Sequence, residues 1–489
     1  MSFASLHFLV FFAVVFVTAW KLSPCLRARN RFLLVASYYF YMSWNPWYAG
    51  LIAASTVVDF LIGMRLHRAV RGGGVVTGND ASSARARKAW LVASIVFNLG
   101  VLFVFKYFNF FVSSVIPSVW PGLDGTGWVH RLLLPVGISF YTFQTMSYTI
   151  DIYRRRLEPT KDLAEFALFV SFFPQLVAGP IVRATTFLPQ LRKDPLYREH
   201  RIQSGFIQIL TGLGKKLLLA DVIGRALVDP VFADPSSYHS GSLLLAAYAY
   251  AFQIYYDFSG YSDVAIGAGR MLGFDLPVNF NHPFRAVSLR EFWRRWHISL
   301  STWLRDYLYV PLGGSRYGGK RTAINLALVM VLGGLWHGAA WGFVIWGILH
   351  GLFLGLERLM QKVFFNSAAF AVGSGKESPA IMNLLSWAVT FHIVVFCFIF
   401  FRAESTASAG LYLDRLLELT WGGGELPPIG LVFLAIAAAL EWHPRRLRVR
   451  TGRAYRRLPF VGQAVTVAVS LLAFMVFANQ PVPFIYFQF

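Results

Sequence analysis

The sequence predicts an all-α membrane protein that crosses the bilayer many times. Hydrophobic residues make up 56% of the 489 residues and charged residues only 14%, whereas a soluble domain carries about 25% charged residues. Apolar runs long enough to span a bilayer recur along the whole chain, without the short polar–apolar alternation of a β-barrel. The basic residues collect in short loops between these runs, as in proteins of the bacterial inner membrane. The net charge of +21 therefore indicates membrane topology, and we expect a lipid bilayer and no nucleic acid as partner.

The positions of the apolar runs predict about twelve spans, with both termini outside. The runs with two clear ends are residues 4–20, 204–222, 241–258, 322–340, 341–363, 382–402, 429–441 and 461–479. Of the other four runs, one starts near Phe32 and ends at the aromatic residues at 44–48, one ends near Arg65, one begins at Ala89, and one extends from near Leu132 to Arg154. No internal repeat is visible, so we expect one domain over residues 1–489.

The charge of each loop predicts its side of the membrane, because lysine and arginine collect on the cytoplasmic side. The loops at residues 65–88, 285–321 and 442–457 are basic and are expected in the cytoplasm. The loops around Asp229 and at residues 403–427 carry acidic residues and fit the outside. Residues 270–321 contain too many charges for a span, and their alternating aromatic and arginine residues are typical of interfacial helices.

Residues 163–182 are apolar but do not fit a single transmembrane helix. Both flanks are basic, whereas a single crossing would place them on opposite sides of the membrane. Pro174, Gly179 and Pro180 also interrupt a helix. We therefore predict a re-entrant segment, which is tolerated where protein or water surrounds it.

His337 is the first candidate for chemistry, because an ionisable group within an apolar run is costly and imidazole transfers protons near neutral pH. Gly334, Gly338 and Gly342 recur at four-residue spacing and predict a helix face with almost no side chains, open to a neighbouring helix or a substrate. Two tryptophans flank the histidine, Trp336 and Trp341. A core histidine bonded to a neighbouring helix is the alternative.

Two further histidines are candidates. His350 follows in a similar small-residue context, and a structural role is favoured because no other polar residue of the sequence clusters with it. His297 lies among charged residues. If residues 290–305 form one helix, Trp293 and Ser301 share its face, and Glu291 and Arg295 form an i,i+4 ion pair.

A group of arginines surrounds His297 and could hold the phosphates of a large anionic donor. This candidate donor site consists of Arg290, Arg294, Arg295 and Arg305, together with Trp296 and Trp336. A membrane-surface helix with arginines that reach toward the headgroups is the alternative. Asp257 and Asp263 flank a Ser-Gly-Tyr sequence at the end of a predicted span and could pair with these arginines or form a proton or ion pathway.

Several other site types lack their sequence signature. No pair of histidines at i,i+4 encloses a glutamate, and Cys25 and Cys397 are not arranged as a metal site or a disulfide framework, so no metal is expected. The chain also lacks the G-x-S-x-G elbow of a serine hydrolase and the glycine motifs that bind nucleotides.

Three segments together resemble the membrane-bound O-acyltransferase family: YYDFSGYSD at residues 255–263, EFWRRWHISLSTWLRDYLYVPLGG at 291–314, and GGLWHGAAW at 333–341. Residues 132–154 and 172–183 look like the bacterial branch of that family. The resemblance covers most of residues 30–405, and the C-terminal helices within 406–489 match weakly. It implies a ring of helices around a central tunnel, with re-entrant helices as a thin wall.

The resemblance also implies roles for the two histidines. The essential membrane histidine of the family matches His337, and its second polar position matches His297. His337 would take the proton of the acceptor hydroxyl and return it to the leaving thiolate, because a hydroxyl is a weak nucleophile until a base acts on it. His297 would orient or polarise the thioester carbonyl.

The expected activity is therefore transfer of an acetyl group across the inner membrane for O-acetylation of an exported, alginate-like polysaccharide. The donor would be an acetyl thioester of coenzyme A or an acyl carrier, used as substrate with no bound cofactor. The expected partner is a periplasmic acetyltransferase or acetyl-acceptor protein. D-alanyl transfer from a carrier protein to teichoic acid is one alternative. A transporter or channel is the other, although it predicts two related halves with broken helices and FFPQLVAGP has no second copy.

Overall fold

A computed structural model gives the fold of residues 5–71, 81–120, 134–177, 179–195, 197–364, 380–422, 426–443, 453–455 and 457–477, with Phe3, Gly122 and Phe484. Within these ranges the backbone forms helices and their connections, without a β-strand, so the predicted all-α class is confirmed. The chain divides into two compact units, Met1–Ile209 with Ser262–Pro277 and Leu210–Tyr261 with Val278–Phe489. One catalytic domain over residues 1–489 stays a prediction.

The first unit consists of helices of very different length. Its α-helices are Leu6–Lys21, Leu26–Met42, Pro46–Arg71, Ala81–Leu102, Phe108–Phe110, Ile116–Val119, Ile138–Tyr153, Leu163–Ser171, Phe173–Leu176, Ala184–Leu191 and the start of Glu199–Gly214. Two π-helical turns, Phe103–Tyr107 and Phe111–Val115, continue the helix that begins at Ala81. The end of Ser240–Met271 also belongs to this unit.

The second unit contains residues 278–321, which are most of the charged stretch predicted to form interfacial helices, and the segment with His337. Its α-helices include Asp221–Ile223, Asp229–Ala233, most of Ser240–Met271, Leu289–Arg295, Ile298–Leu304, Gly318–His337, Trp341–Phe364, Ala380–Arg402, Thr406–Leu417, Pro428–Trp442 and Phe460–Phe477. The π-helical turns are Lys215–Ala220, Gly224–Val228 and Arg305–Tyr309, and the 3₁₀ turns are Pro235–Ser237 and Pro283–Arg285.

Four helical segments of the described chain are long and apolar enough to cross a membrane: Pro46–Arg68, Ser82–Val119, Trp341–Gln361 and Ala380–Arg402. Three shorter apolar helices, Leu6–Lys21, Pro428–Trp442 and Val461–Phe474, add to them. The protein is thus an apolar helical membrane protein. The count of about twelve spans, the central tunnel and the sides of the loops stay predictions. The loop residues 72–80 and 444–452 lie outside the described residues.

The helix segment Ser82–Val119 shows the surface expected of a lipid-facing element. Only 17% of its most apolar window is buried. Val92, Val96 and Leu99 are exposed, and each lies three or four residues from the next. This spacing places them on one helix face. Such an apolar face is disfavoured in water and stabilised by contact with hydrocarbon.

Two helices begin earlier than the spans predicted on them. The helix Leu26–Met42 begins well before Phe32, and the helix Ala81–Leu102 begins before Ala89. The first difference has a clear cause, because Arg29 is not a loop residue. Its side chain is 2% exposed, donates to the carbonyl of Leu272 and lies 4.8 Å over the ring of Phe274. A cation–π contact and a backbone acceptor compensate the burial of this charge.

The predicted interruption in residues 163–182 is confirmed. The helix Leu163–Ser171 ends at Phe172, whose ψ of 110° is not helical, and the short helix Phe173–Leu176 follows. Pro174 lies in the first turn of that short helix, where a missing N–H costs nothing. The segment from Phe166 to Leu176 is buried within the first unit. Its re-entrant path through a membrane stays a prediction.

A closed cluster of polar side chains holds three helices of the first unit together. Asp59 is 0% exposed and accepts from Ser94 Oγ at 2.6 Å and from Asn98 Nδ2 at 2.8 Å. Thr145 donates to Asn98 Oδ1 at 3.0 Å, and Thr149 lies 2.9 Å from Ser94 Oγ. We call these five residues the Asp59 cluster. None of its buried side-chain oxygens or nitrogens lacks a hydrogen-bond partner.

Candidate active site

His337 is the last residue of the helix Gly318–His337 and is 3% exposed. The chain leaves the helix at Gly338, with φ −160° and ψ 154°, and re-enters a helix at Trp341. The predicted glycine face on one helix is therefore wrong, because Gly334 and Gly342 belong to two different helices. His337 lies at a reversal between two helices, where the backbone itself turns the side chain inward.

The glycines nevertheless allow close packing of the chain. A Cβ on Gly334 would collide with the carbonyl oxygen of Phe343, and one on Gly338 would collide with the ring of Phe343. A Cβ on Gly342 would lie 2.5 Å from the carbonyl oxygen of Phe400. Small residues at these points bring the helix backbones together. Close packing explains the glycines, so they give no indication of an open substrate face.

Aromatic rings surround the imidazole of His337. The ring centroids of Trp336, Trp346 and Phe401 lie 5.1, 5.2 and 5.2 Å from its centroid. All three rings are at most 3% exposed. Trp341, which was expected to flank the site, is 41% exposed. Trp346 and Phe401 were missed from the sequence, because they lie on the following two helices and no spacing rule connects them to His337.

His297 approaches the same place. Its ring centroid lies 6.4 Å from that of His337 and 5.7 Å from that of Trp336. The structure therefore brings the two predicted histidines together, while their roles in chemistry stay predictions. Phe258, from the YYDFSGYSD motif, packs 4.7 Å from the His297 ring. The motif thus contributes an aromatic wall to the histidine pair.

The continuous helix predicted over residues 290–305 is wrong. The helix Leu289–Arg295 ends at Trp296, and His297 adopts a left-handed conformation with φ 41° before the helix Ile298–Leu304 begins. A positive φ is uncommon for a residue with a side chain and is enriched at functional sites. Trp293 and Ser301 therefore do not share one helix face with His297. The break turns His297 away from the direction that a straight helix would give it.

Asn279 holds the ring of His297, and no motif or spacing in the sequence indicates this contact. Its Oδ1 accepts from the backbone N–H of Ser299 at 3.2 Å and from Ser299 Oγ at 2.9 Å. The same oxygen lies 3.2 Å from His297 Nδ1, so Nδ1 carries the proton and donates to it. Nε2 is then the basic nitrogen of His297.

The protonation of His297 follows from its surroundings. The side chain is 0% exposed and lies outside the four candidate spans. Burial lowers the pKa of His297 to about 3, because the imidazolium would be desolvated. His297 is therefore neutral at physiological pH. A neutral ring with the proton on Nδ1 favours accepting a hydrogen bond at Nε2 over the predicted polarisation of a carbonyl, which requires a donor.

The short helix that precedes His297 is fixed at its start. The Ser288 side chain accepts from the backbone N–H of Glu291 at 3.1 Å, and Glu291 Oε2 accepts from the backbone N–H of Val287 at 3.0 Å. This reciprocal cap satisfies two N–H groups at the helix start. Glu291 also accepts from Arg295 at 2.6 Å, so the predicted i,i+4 ion pair is confirmed.

The four arginines assigned to a donor are not equally available. Arg295 is paired with Glu291, and Arg305 is paired with Asp306 at 2.7 Å. The charge of Arg290 acts on Glu357, which is close to it. Arg294 is exposed and forms no ion pair with the described residues. Among the four, Arg294 is the most available for an anionic ligand.

The two tryptophans of the predicted donor site occupy different places. Trp336 lies beside both histidines. Trp296 is 2% exposed and packs against Phe280, Phe292 and Phe398 at centroid distances of 5.1–5.5 Å. Trp296 belongs to the aromatic core of the second unit, and donor binding by its ring is not supported by this position.

The two predicted supporting carboxylates have partners other than the arginines. Asp257 lies 2.6 Å from Lys216 Nζ, and the same ammonium lies 2.7 Å from Asp221. Asp263 Oδ1 accepts a hydrogen bond from Gln208 Nε2 at 3.0 Å within the first unit. The expected pairing of Asp257 with the arginines is therefore wrong. Lys216 was missed because its partners lie on helices whose packing the sequence does not reveal.

His350 also differs from its predicted setting. It is 0% exposed, and the rings of Trp293 and Trp346 lie 5.3 and 4.6 Å away. The expectation that nothing polar clusters with it is wrong, since the nitrogens of both indoles are buried nearby and lack a hydrogen-bond partner among the described residues.

The site is a pair of buried histidines, His297 and His337, inside an aromatic enclosure of an apolar helical protein. The sequence profile of the membrane-bound O-acyltransferase family matches residues 131–401, which include His297, His337 and every aromatic neighbour named here. The chain belongs to the membrane-bound O-acyltransferase family. It is therefore an acyltransferase.

Curated relatives of this acyltransferase share most of its length. A probable alginate O-acetylase AlgI of Pseudomonas aeruginosa is 42% identical over 443 residues, covering 89% of this chain and 79% of the relative. The peptidoglycan O-acetyltransferase of Helicobacter pylori is 35% identical over 79% of this chain and 73% of its own. The teichoic acid D-alanyltransferase of Bacillus subtilis is 27% identical over 60% of this chain and 76% of its own.

Proposed function

We propose that this acyltransferase moves an acetyl group from a cytoplasmic thioester, across the inner membrane, toward O-acetylation of an exported polysaccharide similar to alginate. The immediate donor is acetyl-coenzyme A or an acetylated acyl carrier. A periplasmic acetyltransferase or acetyl-acceptor protein completes the modification. The observation that carries this proposal is the pair of buried histidine rings, His297 and His337, with centroids 6.4 Å apart inside an aromatic enclosure.

The chemistry that this pair supports is transfer of an acyl group to a hydroxyl. His337 takes the hydroxyl proton as the oxygen attacks the thioester carbonyl, so that a C–O bond forms and the C–S bond breaks. The same proton then passes from His337 to the thiolate, and no net proton is consumed. The single proton of the attacking hydroxyl goes to His337, so the neutral His297 accepts at Nε2 from a second O–H or N–H group of the substrates and orients them. The aromatic enclosure excludes water that would hydrolyse the thioester.

The relatives favour an acetyl group over a D-alanyl group. The O-acetylase of Pseudomonas aeruginosa is 42% identical to this chain, and the D-alanyltransferase of Bacillus subtilis is 27% identical over a shorter part.

A transporter or channel remains the alternative of another class. The interrupted helices Leu163–Ser171 and Phe173–Leu176 favour it, because broken helices line many transport sites. A transporter, however, has no need for a basic imidazole fixed in one tautomer by Asn279.

The test is an acyl-transfer assay with sealed inner-membrane vesicles that contain the protein. Labelled acetyl-coenzyme A, acetylated acyl carrier and D-alanylated carrier are each supplied on the cytoplasmic side, with and without candidate periplasmic partners. We expect label on the partner or the polysaccharide with an acetyl donor, and none with the D-alanyl donor.

Transfer of D-alanine alone would replace the proposed substrate. Ion or solute flux without any acyl transfer would support the transport alternative. Vesicles that lack the protein provide the blank in each case.

A further inference from the structure

A second polar group lies beside the histidine pair, on two helices of the second unit. Trp293 is on Leu289–Arg295, and Trp346 and His350 are on Trp341–Phe364. The ring centroid of Trp293 lies 5.7 Å from that of Trp346 and 5.3 Å from that of His350. Trp346 and His350 are 4.6 Å apart. We call these three residues the indole–imidazole cluster.

The polar atoms of this cluster are buried without protein partners. Nε1 of Trp293, Nε1 of Trp346 and both ring nitrogens of His350 have no hydrogen bond to any residue that the structure describes. Leaving one such buried group unsatisfied costs about 1–3 kcal/mol. Isolated cases occur in folded proteins, but a concentration of four in three touching side chains requires an explanation. A polar ligand that enters between the two helices supplies one.

The indole–imidazole cluster lies next to His337, the proposed base. Trp346 touches His350 on one side and His337 on the other, with centroid distances of 4.6 and 5.2 Å. A molecule that contacts the cluster therefore lies within one indole ring of the proposed base. Binding at the cluster therefore places a ligand next to the proposed site of acyl transfer.

We propose that the indole–imidazole cluster binds the pantetheine arm of the thioester donor through its amide groups. The cluster offers three N–H donors, two from the indoles and one from a neutral imidazole, and one acceptor from that imidazole. The pantetheine arm carries two secondary amides, each with one carbonyl acceptor and one N–H donor, so the two inventories are complementary. The choice of ligand rests on the proposed function, which makes a thioester the donor.

The pantetheine arm is common to coenzyme A and to acyl-carrier proteins, and both carry it to the same reacting sulfur. The inference therefore concerns the shared arm and not the group attached to it. It also assigns His350 to substrate binding. Glutamine at this position keeps one donor and one acceptor, whereas leucine keeps neither.

The experiment measures binding of three thiols to the purified protein in detergent: coenzyme A, a holo acyl-carrier protein and free pantetheine. The variants are Trp293→Phe, His350→Leu and His350→Gln, with the unfolding temperature measured for each. We expect Trp293→Phe and His350→Leu to weaken all three thiols by a similar factor of about 3–10, as for one lost hydrogen bond. His350→Gln should restore most of the affinity that His350→Leu loses.

Trp387→Phe is the matched control in the same unit. The Trp387 indole already donates to the carbonyl of Phe284 at 2.8 Å. Loss of this hydrogen bond should lower the unfolding temperature and leave thiol binding unchanged. Trp293→Phe should instead weaken thiol binding without lowering the unfolding temperature.

Two outcomes would overturn the inference. If Trp293→Phe and His350→Leu raise the unfolding temperature and bind all three thiols normally, the cluster is a dry part of the core. If binding is unchanged and the unfolding temperature falls, ordered water occupies it. The proposed function is judged separately: variants that bind thiols weakly, in a protein that transfers no acetyl group, would support the site and refute the reaction.

Discussion

The Asp59 cluster and the indole–imidazole cluster are both buried polar groups in a protein of apolar helices, but they differ in how their hydrogen bonds are satisfied. In the Asp59 cluster every buried polar atom has a partner within the protein. In the indole–imidazole cluster four nitrogens on three residues have none in the described chain. Membrane proteins join helices through satisfied polar contacts, and the first cluster does this.

The two clusters illustrate two roles of buried polar side chains in this protein. A closed cluster stabilises the fold, so its loss should lower stability and leave substrate affinity alone. An open cluster is unfavourable in the empty protein and becomes satisfied when a ligand binds, so its loss should lower affinity without lowering stability. Variants in the two regions should therefore give opposite patterns.

The largest effect is expected at His337, beside the open cluster. His337→Gln keeps one hydrogen bond but cannot accept and return a proton, so the rate of acetyl transfer should fall by about 10²–10⁴. The amount of protein in the membrane should stay normal. The measurement is the single-turnover rate in vesicles. His392→Gln, an exposed histidine that contacts Tyr248 at 2.8 Å, is the control and should keep full activity. An active His337→Gln would remove the proposed base.

The opposite pattern is expected in the closed cluster. Asp59→Ala removes the acceptor of Ser94 and Asn98 and should lower the free energy of unfolding by about 1–3 kcal/mol. The apparent KM for the donor should not change in the protein that remains folded. Unfolding in detergent and initial rates in vesicles are the two measurements. Asp59→Asn is the matched variant and should be nearly neutral, because its amide can replace one acceptor while the Ser94 hydroxyl turns to Thr149. Equal damage from both substitutions would show that the carboxylate charge itself is required.

A smaller effect is expected from Asn279→Asp, which changes the partner of His297 without changing its shape. A carboxylate next to Nδ1 should raise the pKa of His297 from about 3 by about 1–3 units, because it stabilises the imidazolium. Protonated Nε2 cannot accept a hydrogen bond, so the activity of the variant should fall as the pH decreases through the raised pKa. The wild type should lack this additional loss, so the ratio of variant to wild-type activity at each pH isolates the titration of His297 from that of other groups. The pH profile of kcat/KM is the measurement, and identical profiles would exclude His297 as an acceptor.

The smallest effect concerns the arginines. Arg294→Ala should raise the apparent KM for coenzyme A donors by about 3–10-fold with little change in kcat, since a remote phosphate contact binds ground and transition states alike. Arg295→Ala is the comparison, because Arg295 is already paired with Glu291. A larger KM effect from Arg295 than from Arg294 would show that the ion pair opens on donor binding.

The sequence predicted features that depend on local spacing or on the family motifs. The all-α class, the interruption at Phe172, and the Glu291–Arg295 pair follow from composition, proline positions and helix periodicity. The resemblance to a family also placed His297 and His337 at one site, and their rings meet. These features depend on residues close together in the sequence or on short family motifs.

The features that failed depend on backbone reversals and on packing between distant helices. The residue types around His297 do not predict its left-handed conformation. A continuous helix through His297 therefore predicts the wrong residues on its face. The reversal at Gly338 likewise separates glycines that a simple helical count places on one face. Trp346, Asn279 and Lys216 acquire their roles from helices far away in sequence, where single-sequence periodicity carries no information.

Lys216 has a consequence for how the protein is inserted. Its ammonium is 4% exposed and lies between Asp221 and Asp257, at 2.7 and 2.6 Å. Lys216 lies on the predicted span 204–222, and a lone lysine or aspartate at the centre of a nascent transmembrane helix costs about 2.5–3.5 kcal/mol during insertion. Asp221 follows Lys216 on the same helical stretch, so on this predicted span the two charges partition into the bilayer as a neutral pair. Asp257 joins later, when the helix Ser240–Met271 emerges. Asp221 thereby neutralises the charge of Lys216 during insertion, and Asp257 adds a second ion pair to Lys216 in the folded protein.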